Sequence, residues 1–127
     1  MSWIVYDFTD GNGASVIGEW IRAEGLGKAD VGAFKQKVFL LRQHGPDLPS
    51  GILAGPIYRN IHKFRVNTVE RALRPMVCRG PINNDGEFTF LLGAVEVNSK
   101  LQPGDAPQQA DTNRTVLMEH TERRRVR

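Results

Sequence analysis

The sequence predicts an α+β domain, and three observations carry that prediction. Apolar residues recur at helical spacing in the first third of the chain, then switch to a period of two from about His62. The later apolar segments are joined by turn-forming clusters, Asn67–Glu70 and Asn83–Gly86, which are too short for a crossover and so make the strands mostly antiparallel. With 127 residues, 40% of them hydrophobic and 24% charged, the chain is the size of one domain and apolar enough to fold.

The elements follow in order. Trp3–Phe8 is rich in β-branched and aromatic residues and predicts a short strand. Asp10-Gly11-Asn12-Gly13 is a turn, with Asn12 able to cap the helix after it. That helix spans Ala14–Glu24, where Ile17, Trp20, Ile21 and Glu24 form an i, i+3, i+4, i+7 stripe, and Gly25 and Gly27 stop it. A second helix runs from Ala29 to His44 with Val31, Phe34, Val38 and Leu41 on one face, and Gly45-Pro46 ends it. The short link makes the two an antiparallel helical hairpin.

Residues 45–56, with three prolines and three glycines, read as a loop. Between His62 and Val66 the apolar Phe64 and Val66 alternate with Lys63 and Arg65, which puts both cations on the face opposite the core. Arg71–Arg79 is the next strand, with Ala72, Arg74, Met76 and Cys78 on one face. Pro75 lacks an N–H and marks it as an edge or bulged strand. Glu87–Val97 is apolar on both faces over Phe88–Val95, as expected of a central strand. Asp105 opens a C-terminal helix reaching Arg125, with Pro107 tolerated in its first turn. Its apolar residues are sparse, so residues 105–127 are expected to form a weakly docked, mobile helix and basic tail, of which 119–127 are dispensable for folding.

Several function classes fall away. No apolar stretch is long enough to span a bilayer, and the start has no basic segment, so neither membrane insertion nor a secretory leader is expected. The single cysteine, Cys78, rules out an internal disulfide and fits a reducing cytoplasm; alternating with Met76, it reads as a small buried hydrophobe. His44, His62 and His120 show no metal-ligand spacing, and no metal or other cofactor is expected. Ser15, Ser50 and Ser99 lack a nucleophile elbow, and Gly11-Asn12-Gly13 lacks the third glycine of a dinucleotide loop.

What remains is charge. The net +3 divides into −1 over residues 1–56 and +4 over residues 57–127. Between Ile57 and Gly80, Arg59, Lys63, Arg65, Arg71, Arg74 and Arg79 face only Glu70, and Arg123-Arg124-Arg125 with Arg127 form a second cluster. Arginine forks suit phosphate, so the clusters point to RNA, whose 2′-hydroxyl is a built-in nucleophile that needs only orientation and charge stabilisation. Arg59, Arg79, Arg123, Arg124 and Arg125 are candidate RNA-binding residues; charge runs of this kind are also common as solvated faces.

Two segments carry a resemblance. Phe64-Arg65-Val66, with Ala72-Leu73-Arg74-Pro75-Met76-Val77-Cys78-Arg79-Gly80-Pro81-Ile82, is similar to the phage-derived RelE/HigB-like toxin family. So is Glu87-Phe88-Thr89-Phe90-Leu91-Leu92-Gly93-Ala94-Val95-Glu96 followed by Lys100 and Pro103. The likeness covers roughly residues 3–125, with its sharp motifs in 63–103. It implies a RelE-like fold, with a strand and helical hairpin on a mainly antiparallel sheet, and a metal-independent endoribonuclease. Such an enzyme cuts ribosome-associated mRNA by 2′-hydroxyl attack and is neutralised by a small antitoxin.

By the same resemblance, Lys63 and Arg65 match the family's basic strand pair, Arg74 the arginine opening the next strand, and Lys100 the lysine after the central strand. Val77-Cys78 replaces the aromatic residue usual after Arg74, which leaves Tyr58, His62 or His120 as candidates for the acid/base role. The catalytic set is thus Arg65, Arg74, Lys63 and His120. The missing aromatic also motivates an alternative, a phage-derived interaction or virion protein that keeps the fold without the chemistry.

Overall fold

The computed structural model describes residues 2–127. Strand β1 (Ile4–Phe8) leads into a turn in which the Asp10 carboxylate accepts the backbone N–H groups of Asn12 and Ala14, at 2.8 and 3.0 Å. Helix α1 (Val16–Ala23) is capped by Ser15, not Asn12: the Ser15 hydroxyl accepts the Gly18 N–H at 3.0 Å and donates to Asp7. Helix α2 (Lys28–His44) ends where expected, at Gly45, whose φ is +54°. A Cβ there would lie 2.3 Å from the Trp3 indole nitrogen, so both the backbone angle and the close approach require glycine. A 3₁₀ turn, Gly45–Asp47, follows.

The segment read as a loop closes instead with a strand, β2 (Leu53–Tyr58). Its proline made it look unstructured, but Pro56 lies on the outermost strand of the sheet, in a stretch where the pairing with its neighbour is irregular between Ala54 and Tyr58. Next come β3 (Ile61–Phe64), β4 (Val66–Asn67), β5 (Ala72–Leu73), β6 (Met76–Arg79), β7 (Glu87–Leu92), β8 (Val95–Val97) and β9 (Lys100–Gln102). Helix α3 (Ala106–Glu119) and β10 (Arg124–Val126) complete the order.

The strands build an α+β fold with two sheets. One has the order β10-β1-β7-β6-β3-β2 and the other β4-β5-β8-β9. All pairings are antiparallel except β1 with β7, which is parallel. The expected strand Arg71–Arg79 is therefore two, β5 and β6, parted at Arg74-Pro75. The expected strand Glu87–Val97 is also two, β7 and β8, parted at Gly93-Ala94, and β3 and β4 part at Arg65. The three breaks lie side by side, because the Arg74 N–H bonds to the Ala94 carbonyl at 2.8 Å and the Phe64 N–H to the Pro75 carbonyl at 2.9 Å. The two sheets are thus one surface bent along a single line. Strand β7 holds the central position predicted for it, with apolar cover on both faces.

One face packs Val5, Phe64, Val77, Phe88 and Phe90 against Ile17 and Trp20 of α1 and Phe34, Val38 and Leu41 of α2. Phe34, Phe64 and Phe90 stack edge to face, with ring centres 5.2–6.3 Å apart. The other face packs Ile61, Met76, Cys78 and Leu91 against Ala106, Ala110 and Leu117 of α3. A Cβ on Gly93, at the bend, would sit 2.0 Å from the Trp20 ring, so this position lets α1 lie against the sheet.

The C-terminal region departs most from expectation. The helix stops at Glu119, and residues 124–126 form an edge strand on β1, in the register Tyr6↔Val126 and Phe8↔Arg124. Small side chains explain the difference: Ala106 and Ala110 contribute little apolar area but let α3 approach the sheet closely enough for them and Leu117 to be fully buried. The tail arginines are engaged in the fold. Arg127 Nε donates to both oxygens of the buried Asp7, at 2.8 and 3.1 Å, and its guanidinium lies 4.7 Å from the Phe34 ring centre. Arg124 pairs with the buried Glu87 over the Tyr6 ring.

Deleting residues 124–127 would leave Asp7 and Glu87 buried without counter-charges. Loss of one partner from such a pair costs roughly 3–5 kcal/mol. Urea unfolding of the truncated chain should show at least that loss; equal stability would mean that the tail is the dispensable appendage the sequence suggested.

Candidate functional site

The bend gathers three of the four expected catalytic residues. Continuing the register Lys63↔Met76 and Val66↔Leu73 through the break sets Arg65 opposite Arg74. Strand alternation puts Lys63, Arg65, Arg74 and Glu96 on one face. Glu96, from β8, is the centre of the group: Lys63 Nζ lies 3.6 Å from one carboxylate oxygen and Arg74 Nη2 3.6 Å from the other. Glu96 is not among the site residues expected from the sequence. Its alternation with Val95 and Val97 at the end of an apolar strand was the one available signal.

The environments of the three cations differ. Arg74 is 2% exposed, donates to the Leu73 carbonyl at 2.8 Å, and leaves Nε without a partner. Burial is the main force holding its pKa below the ordinary guanidinium value; the Arg65 charge adds to the effect and Glu96 opposes it. It stays charged nonetheless, as guanidinium groups in proteins do. Lys63 and Glu96 are partly exposed, so one edge of the cluster is open to a ligand. Arg65 is half-buried and reaches no carboxylate within ion-pair distance among the described residues.

The remaining expected site residues lie elsewhere. His120 is exposed just beyond α3, with Glu122 at 3.9 Å, and has no part in the cluster. Lys100 is exposed at the tip of the β8–β9 hairpin, one residue past a turn in which Asn98 and Ser99 both have positive φ. It pairs with Val97, on the face opposite Glu96. Arg59 is held by Asp111 of α3 at 2.9 Å and lies over Tyr58. Arg79 stacks on Trp3 and approaches Asp85 at 3.7 Å.

The expectation of a basic tail reaching RNA meets a structural alternative in each arginine. Arg123 donates to the Thr9 carbonyl at 2.9 Å beside Phe8, Arg124 pairs with Glu87, and Arg125 donates to the Gly13 carbonyl at 2.6 Å. These residues hold β10 against β1 and its turn; they form no stripe with Arg114, Leu117 and His120, because the helix ends before them.

Of the other acid/base candidates, Tyr58 carries Arg59 on its ring, while His62 is half-buried with Nδ1 unpartnered. Burial, outweighing the pull of the Asn60 carbonyl, holds the His62 pKa below its ordinary value. Cys78 is fully buried; burial pushes its thiol up to about 12 against the opposing charge of Arg114. Among the described residues, no helix is long and apolar enough to cross a membrane. Comparison with protein-family models, curated proteins and solved structures gives no match to this chain.

Two outcomes follow. The unfolded chain takes up a proton near the ordinary histidine value of 6.5, which folded His62 resists. Stability should therefore decline as pH falls through that value, and His62→Asn should flatten the decline in urea midpoints measured at constant ionic strength; an unchanged slope would contradict the assignment. The native thiol should ignore a disulfide reagent at about pH 8 and react once unfolded, since only the thiolate attacks. Rapid labelling of the folded protein would show that Cys78 is not sealed.

Proposed function

We propose that the chain is a RelE/HigB-like protein that cleaves RNA by 2′-hydroxyl attack, and that Glu96 is the base the sequence motif left unassigned. The observation that carries this reading is the convergence of Lys63, Arg65 and Arg74 around one carboxylate at the bend. Metal-free cleavage needs a base beside the 2′-hydroxyl and positive charge beside the phosphate. In this reading the Glu96 carboxylate accepts the proton of the 2′-hydroxyl as its oxygen bonds to phosphorus. The bond from phosphorus to the 5′-oxygen breaks, that oxygen takes a proton from solvent, and a 2′,3′-cyclic phosphate remains. Arg65, the cation without a carboxylate, meets the phosphate; Arg74 holds Glu96, and Lys63 flanks its carboxylate at the open edge.

The resemblance brings with it a fold of the RelE type, ribosome-bound mRNA as substrate, a small antitoxin covering the basic surface, and a cytoplasmic place of action. Supporting it are the element order and the clustering of residues from its two sharpest segments. A second reading, a fold kept for interaction without chemistry, is favoured by the burial of Arg74 and by the charge compensation at Glu96.

The experiment is incubation of purified protein with RNA, alone and on programmed ribosomes, with mapping of the new ends. Cleavage should leave cyclic phosphates and 5′-hydroxyls. Glu96→Gln should lower the rate about 10²–10⁴-fold, the usual contribution of a positioned base. Arg65→Ala should lower it while leaving the circular dichroism spectrum unchanged. A folded wild-type protein that yields no new ends in either setting and does not slow growth when expressed would sink the enzymatic reading in favour of the interaction protein.

A further inference from the structure

A second cluster of cations lies away from Glu96. A cavity of about 400 Å³ is lined by Asn60 from the β2–β3 turn, His62 from β3, Arg79 from the end of β6, Asn84 and Asp85 from the β6–β7 turn, and Arg114 from α3. Three stretches distant in sequence, 60–62, 79–85 and Arg114, thus contribute one or more polar side chains each. A volume of this size falls in the range of small-molecule sites, roughly 300–1,000 Å³.

The electrostatics of the cavity are incomplete. Its one carboxylate, Asp85, is 98% exposed in its side chain and approaches Arg79 at 3.7 Å. Arg114 reaches no carboxylate within ion-pair distance among the described residues, and its Nε is shielded from water without a hydrogen-bond partner. The nearby Cys78 sulfur cannot serve as a counter-ion, because a thiol buried in the sheet stays protonated. His62 Nδ1 is a second shielded atom without a partner. Arg114 is half-buried and Arg79 exposed, its Nε donating to the Asn84 main-chain carbonyl; guanidinium forks held in this way are suited to phosphate oxygens.

We infer that this cavity binds the phosphate monoester of a small molecule, with the guanidinium groups of Arg114 and Arg79 gripping the phosphate and His62 forming part of the wall. Asn60 and Asn84, at the exposed rim, offer amides to the rest of the ligand. The inference is independent of RNA cleavage, since none of these residues belongs to the Glu96 cluster.

The test is isothermal titration of the full chain with inorganic phosphate, adenosine 5′-monophosphate, uridine 5′-monophosphate and adenosine, at fixed moderate salt. Phosphate and both nucleotides should bind saturably and adenosine should not. Tighter binding of the nucleotides identifies a nucleotide-like ligand, and equal binding identifies free phosphate; both support the site. Arg114→Met should weaken binding about tenfold or more, the usual effect of losing a charge-assisted hydrogen bond. Arg79→Gln, at an exposed position that cannot threaten the core, should also weaken it, whereas Arg59→Gln, whose partner is Asp111, should leave it unchanged. Absence of saturable phosphate binding, or binding indifferent to Arg79→Gln and Arg114→Met, overturns the proposal. Neither result bears on RNA cleavage at Glu96, which is scored separately by RNA ends.

Discussion

The line of breaks at Arg65, Arg74-Pro75 and Gly93-Ala94 is the constraint on which the rest of the structure depends. A flat continuation of β3, β6 and β7 would need an N–H that Pro75 does not have, and it would leave α1 no room beside Gly93. Bending the surface meets both conditions while the flanking groups stay paired, Arg74 with the Ala94 carbonyl and Phe64 with that of Pro75. The same bend draws Lys63, Arg65, Arg74 and Glu96 together. A buried arginine is tolerable at that point because a carboxylate lies at ion-pair distance and a main-chain carbonyl accepts one of its protons. The device that satisfies the backbone therefore also concentrates the charge.

Charge is arranged differently at the other edge of the main sheet. Asp7 and Glu87 are buried on neighbouring strands, and each is answered from β10, by Arg127 and Arg124. The two carboxylates point to opposite faces, as alternation on a parallel pair requires, and so the two arginines do as well. Ionic pairing here ties β10 to both faces: sliding it by one residue would move Arg124 and Arg127 to the faces opposite their present partners.

These arrangements explain which parts of the molecule were legible from its sequence. The helices were, because Ile17 and Trp20, and Phe34, Val38 and Leu41, repeat with the helical period and are all buried. The central strand was, because a continuous apolar run is compatible with cover on two sides. Two-residue strands such as β4 and β5 have no periodicity to detect, and β9 is polar and exposed on its hairpin. The C-terminal strand was hidden by composition, since three consecutive arginines resemble a solvated tail when none of their partners is near in sequence. At the site, the placement of Arg65 and Arg74 on successive strands was legible, whereas the register that sets them opposite each other came from the structure. The part of Glu96 was not, because an acid among apolar neighbours carries no local sign of the cations it will meet.

The position of β1 has a consequence for how the molecule reaches its native state. β1 is bordered by β7 and β10, both of which follow it in synthesis, so it must wait for both neighbours across separations of about eighty and a hundred and twenty residues. Closing such long loops is slow, because their entropy is lost before contacts compensate. Until then Ile4–Phe8 exposes two open edges and an apolar side chain at every second position. The nascent chain is therefore most vulnerable to self-association through this opening strand, and α1 and α2, able to form locally beside it, are the elements positioned to cover it first.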